Sequence, residues 1–95
     1  MESHPTPKDV LLIIEVSDSS VDYDRNEKIP RYAHAGVPEV WQVNLVHGLI
    51  DTFSDLDTDN VRYRAMHRFS PGQQIVPTQL PDVTLEVGEI LRRRE

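Results

Sequence analysis

The sequence predicts an α/β chain with a mixed sheet, in which a strand–helix–strand crossover leads into an antiparallel meander and a C-terminal helix. Three observations support this. Residues 10–16 form a β-branched and leucine run, interrupted at Glu15 and closed by a Ser-Asp-Ser-Ser turn. Residues 22–36 turn helical in composition and stop at Gly36 and Pro38. Residues 39–53 and 61–69 alternate apolar and polar with period two.

Taken in order, residues 1–9 hold two prolines and no periodicity, and are expected to form an extended arm. The run 10–16 is apolar on both faces, which suits a central strand covered on both sides. Its parity sets Val10, Leu12, Ile14 and Val16 on one face and Leu11, Ile13, Glu15 and Ser17 on the other. Glu15 is thus a carboxylate in an otherwise greasy row. In the next segment, Asp24 followed by Glu27 resembles a capping box. Pro30 leaves two possibilities there: a kinked helix, or a turn followed by a short helix with Pro30 in its first position. Either version ends at Gly36.

Residues 39–45 place Val40, Gln42 and Asn44 opposite Trp41, Val43 and Leu45. With Val46-His47-Gly48 as the connection, the resumed pattern at 49–53 completes a hairpin. Residues 55–60 read as an acidic loop and 61–69 as a further strand. Ser70-Pro71-Gly72 is a turn, residues 83–85 are extended, and residues 86–94 form a terminal helix with Val87, Ile90 and Leu91 on its apolar side.

At 95 residues, the chain is expected to form one domain spanning 1–95. It is 38% hydrophobic and 27% charged, too apolar and too evenly mixed for disorder. No run approaches the roughly 20 apolar residues of a membrane helix, so no membrane partner is expected. The first nine residues do not read as a secretion signal. The absence of cysteine excludes disulfides, a thiolate nucleophile and cysteine-bound metal, and fits a cytoplasmic setting. A net charge of −6 argues against affinity built on phosphate neutralisation. Arg92-Arg93-Arg94, the one basic cluster, reads as a solvated run at the negative end of a last helix. A chain this short buries only about 60–65% of its unfolded surface, which favours a homo-oligomer, most simply a dimer.

Motifs for nucleotide loops, serine hydrolases and zinc proteases are absent, and the four histidines lack ligand spacing. The remaining chemistry is Glu15, Ser17, Asp24 and Lys28 around the C-terminal end of the first strand, the edge at which ligands gather in open α/β sheets. Each has an ordinary structural reading. Glu15 could be solvated or ion-paired, Asp24 could cap, and Asp24–Lys28 is a favourable i,i+4 pair. Together, a glutamate and a lysine at one rim suit a divalent cation and a polarised phosphate.

At these residues the chain resembles a known family. Residues 9–20, then Tyr23-Asp24-Arg25 with Lys28, then residues 32–41 are similar to the core of the Uma-type putative restriction endonuclease family, part of the PD-(D/E)XK nuclease superfamily. The likeness is strong over 7–54 and continues loosely through Ser70-Pro71-Gly72 and Leu80-Pro81-Asp82.

The resemblance implies a restriction-endonuclease-like core and an Asp, an Asp/Glu and a Lys around Mg²⁺. Glu15 matches the acidic residue of the second half-motif. Ser17 stands where the lysine is expected, and Lys28 supplies that charge from the next segment. The family's proline–aspartate half lies on a strand upstream, for which this sequence has no counterpart. Asp9 cannot replace it, because six residues of strand place it about 20 Å from Glu15, whereas ligands of one Mg²⁺ lie within roughly 4–5 Å.

The expectation is therefore a shortened, inactive nuclease-like domain that keeps half of a metal site and self-associates. In that expectation Glu15 is the metal ligand, Glu15 and Lys28 are the catalytic pair, and Ser17 and Asp24 are accessory. The alternative is a Mg²⁺-dependent DNA endonuclease completed by a partner subunit, with Mg²⁺ and DNA engaged only if the chain is active. An unrelated small-molecule binding domain is a third possibility.

Overall fold

The computed structural model describes residues 10–92. The expected arm over 1–9, Asp9 included, and Arg93 and Arg94 of the basic cluster lie outside the described residues. The strands of the main sheet are β1 (Ile13–Ser17), β2 (Val40–Asn44), β3 (Leu49–Asp57) and β4 (Arg62–Phe69). They pair in the order β1-β2-β3-β4, with β1 parallel to β2 and the remaining pairs antiparallel. A parallel β1–β2 pair requires a crossover, which the helical segment between them supplies. This mixed architecture agrees with the fold class read from the sequence and with a restriction-endonuclease-like core.

That segment is one unbroken helical run. α1 (Val21–Tyr23) passes into a π-helical turn (Asp24–Lys28) and then α2 (Ile29–His34), with right-handed helical angles at every junction. Pro30 explains the π turn. In a regular helix its ring would meet the carbonyl four residues back, and its missing N–H would leave a gap. Here the Ile29 N–H donates to the Asp24 carbonyl, five residues back, which widens the helix just before the proline. Of the two possibilities left open by the sequence, the continuous distorted helix is the one formed.

Gly36 ends the run at φ +87. Its N–H donates to the Ala33 carbonyl at 3.1 Å, and the Val37 N–H donates to the Tyr32 carbonyl at 3.0 Å, the paired bonds of a Schellman stop. A Cβ on Gly36 would meet nothing within 4 Å, so only the left-handed backbone opposes a side chain there. Gly36→Ala should therefore cost about 1 kcal/mol, read as a lower midpoint in urea at unchanged slope.

One strand assignment needs correction. Among the described residues β1 is the sheet's edge, not a central strand: Ile14 and Val16 are 47% and 56% exposed. Its parity was read correctly, since Ile13, Glu15 and Ser17 face the helix and Ile14 and Val16 face away. The interior strands are β2 and β3, and all five residues of β2 are buried. The two faces of the sheet carry separate cores. On the helix side, Ile29, Val37, Val40 and Phe53 cluster, joined by Val10, Ile13, Tyr32 and Tyr63. On the other side, Trp41, Val43, Ile50, Ile75 and Val87 cluster. The latter is closed by a small hairpin, β5 (Gln74–Ile75) with β6 (Leu85–Glu86), and by α3 (Val87–Leu91). α3 presents Val87, Ile90 and Leu91 to it as expected, but ends earlier than residue 94, with Arg92 extended.

The expected acidic loop 55–60 is also shorter. β3 continues through Asp55 (φ 58), and Leu56 and Asp57 still pair with Tyr63 and Arg62. The turn begins at Asp57, whose Oδ1 accepts the Asp59 and Asn60 N–H groups at 3.1 and 3.3 Å. No helix among the described residues is long and apolar enough to cross a membrane.

Candidate functional site

Strand register aligns one polar row across the whole sheet. Glu15 lies beside Gln42, Gln42 beside Asp51, and Asp51 beside Arg68. Parity turns this row toward the helical run, which lays Asp24, Arg25, Lys28 and Tyr32 against it.

The four residues singled out from the sequence come together. Lys28 Nζ stands 3.2 Å from Glu15 Oε2 and 3.5 Å from Asp24 Oδ1, so one ammonium bridges two carboxylates. The Tyr32 hydroxyl donates to Glu15 Oε1 at 2.6 Å. Ser17 and Ser20 donate to Asp24 Oδ2 at 2.6 and 2.9 Å, and the Gln42 amide donates to Ser17 Oγ at 3.1 Å. Asp24 therefore does not cap. It sits inside the helical run, 2% exposed, and its carboxylate faces the serines that precede the helix. The Ser20 position begins the helix without a side-chain cap, and its hydroxyl instead donates to Asp24.

The electrostatics follow from these contacts. The Ser17 hydrogen bond, supported by Ser20 and the Lys28 charge, outweighs burial and holds the Asp24 carboxyl below its ordinary range. The hydrogen bond and charge of Glu15 raise Lys28, with Asp24 adding to the effect. Burial, then the Glu15 contact, pushes the Tyr32 phenol up to about 12. Tyr32 is therefore a fixed donor at neutral pH.

The sequence reading missed the other half of the row. Asp51 is fully buried and bound by two guanidiniums: Arg68 through Nε at 2.8 Å and Nη2 at 3.1 Å, and Arg25 through Nη2. Burial alone would raise the Asp51 carboxyl, but the Arg68 and Arg25 hydrogen bonds and charges more than reverse it, and it lies below the ordinary range. Arg25 also donates to Gln42 Oε1 through Nε at 3.1 Å and Nη2 at 2.9 Å, and its guanidinium lies 5.5 Å from the Phe53 ring centre. The alternation of 39–45 had already put Gln42 on one face, but nothing local in the sequence told which residues of other strands would stand beside it.

Two depressed carboxyls fix the sign of the acid response. Their stabilisation is complete above the unfolded carboxyl value of about 3.9 and is lost as pH falls through the folded values. The thermal midpoint should hold steady between about pH 5 and 8 and fall on acidification below about 4. Asp24→Asn should show a shallower fall, and circular dichroism melts across that range check both.

The donor set suits a hard cation in part. Two carboxylates stand on either side of Lys28 Nζ, and the buried Asp24 Oδ1 accepts no hydrogen bond. Among the described residues, however, no group of three or more His, Asp or Glu side chains converges. Compared with known families, the chain matches over residues 2–88 the Uma2 family, described as putative restriction endonuclease, and it belongs to that family, within the PD-(D/E)XK superfamily. No curated protein and no solved structure matches it.

Proposed function

We propose that this member of the putative restriction endonuclease family is a nuclease-like unit that keeps half of a metal site, does not cleave nucleic acid by itself, and self-associates. The observation that supports this is the Lys28 bridge. One ammonium already pairs with both Glu15 and Asp24, and among the described residues no third acid stands by to complete a cation cage.

In this reading Glu15 is the metal ligand, Asp24 and Ser17 are accessory, and Tyr32 holds the Glu15 carboxylate in place. Mg²⁺, when bound, would neutralise phosphodiester charge and favour hydrolysis. Lys28 would stabilise the charge that develops on the phosphate. The cysteine-free composition fits a cytoplasmic setting.

Self-association draws on the β1 edge. Exposed Ile14 and Val16 beside strand backbone that has no pairing partner among the described residues make a surface that a second copy can cover. Light scattering after size exclusion should give a dimer at micromolar concentration, and a monomer there would remove this part of the proposal.

The catalytic part is tested with plasmid and single-stranded DNA in Mg²⁺ or Mn²⁺. No cleavage is expected. Cleavage lost in both Glu15→Ala and Lys28→Ala would overturn the silent reading and support the endonuclease alternative. Cleavage that survives both substitutions would remove the site itself.

A further inference from the structure

We infer that a cleft beside the Glu15–Lys28 cluster binds a phosphate oxyanion. The cleft has a volume of about 420 Å³, and Arg25, Arg68, Asn44, His47 and Asp22 line it. It opens where the start of the helical run faces the β2–β3 turn. Its floor is built before any ligand arrives. Arg68 is held by both of its bonds to Asp51, and Arg25 is held by Gln42, Asp51 and the Phe53 ring.

Two guanidiniums on one buried carboxylate leave a surplus positive charge. Neither Nη1 group, with two N–H donors apiece, has a hydrogen-bond partner among the described residues. Rigid guanidinium donors of this kind match phosphate oxygens, and their fixed geometry spares a ligand the cost of ordering them. Asp22 is the opposing charge, and it sits exposed at the rim.

Gln42 joins the cleft to the cluster. Its Oε1 accepts from Arg25, and its Nε2 donates at 3.1 Å to Ser17, the residue that donates to Asp24. This deepens the proposed function and rests on it only for the source of the phosphate, a nucleic-acid backbone neighbouring the group at Lys28. A free small phosphate offers the same oxygens.

The test is a nuclear magnetic resonance titration of the full chain with inorganic phosphate and, separately, with a single-stranded oligonucleotide, at matched ionic strength in chloride. The His47 amide and the Arg25 and Arg68 Nε–H signals are expected to shift. Arg68→Ala should weaken binding about tenfold, as loss of a charge-assisted bond does. Asp22→Asn should tighten it about twofold to threefold by removing like charge. His47→Ala leaves the Asp51 network intact and should also weaken binding, so the inference stays testable if Arg68→Ala unfolds.

Shifts with both ligands, or with the oligonucleotide alone, support the cleft with a backbone source. Shifts with inorganic phosphate alone support it with a small-molecule source. No shift with either, or a shift unchanged in both Arg68→Ala and His47→Ala, overturns it. None of these readouts requires cleavage, so failure here leaves the half-site proposal standing, and failure of that proposal leaves the cleft.

Discussion

Trp41→Ala is expected to destabilise the protein by about 3–5 kcal/mol, the largest effect of any single substitution considered. The indole is fully buried at the centre of the core on the sheet's outer face, among Val43, Ile50, Ile75 and Val87. It is also the donor for another buried group. Trp41 Nε1 bonds Glu39 Oε2 at 2.9 Å, while Glu39 Oε1 accepts the Thr78 N–H and hydroxyl, each at 2.9 Å. Glu39 is 2% exposed, so truncation at Trp41 opens a cavity and strips a partner from a buried carboxylate at once. For a chain of this length, that corresponds to a fall of more than about 12 °C in thermal midpoint. Trp41→Phe keeps most of the packing but not the donor, and should lose about 1–3 kcal/mol. Urea unfolding of both variants separates the two contributions.

Asp51→Ala is expected to cost about 3 kcal/mol, in the range for removing one partner of a buried charge network. Its removal leaves Arg25 and Arg68 facing each other with no anion between them. The figure sits at the low end because their side chains are 32% and 53% exposed and water can take up part of their charge. Arg68→Ala should cost less, since Arg25 still satisfies Asp51. If the two variants prove equally destabilised, the assignment of Asp51 as the shared anion is wrong.

How much of this was legible in the sequence differs element by element. The parity of 10–16 read correctly because alternation is a local property, so Glu15 and Ser17 were placed on one face with their true neighbours. The position of that strand at the sheet's edge was not legible. Apolar residues on both faces look the same whether a neighbour covers them within the described residues or not, and Ile14 and Val16 show that here nothing does. The π turn was half visible in Pro30, which announced a disturbance without saying whether the helix would bend or break.

The acidic stretch after Phe53 was misread for another reason. Aspartates at 55 and 57 are poor strand formers, yet the pairing of Leu56 with Tyr63 and of Asp57 with Arg62 carries the strand past them. The site divided the same way. Glu15, Ser17, Asp24 and Lys28 were within thirteen residues of one another and could be grouped by spacing. Gln42, Asp51 and Arg68 became their neighbours only through strand register, a long-range property that no local pattern states.

The proposed half-site is tested most directly by Mn²⁺ binding to the purified chain, followed by water-proton relaxation, with Glu15→Gln alongside. The account predicts weak, saturable binding in the wild type that Glu15→Gln abolishes while the melting curve shows the variant still folded. Binding of equal strength in Glu15→Gln, or none in the wild type, would contradict it.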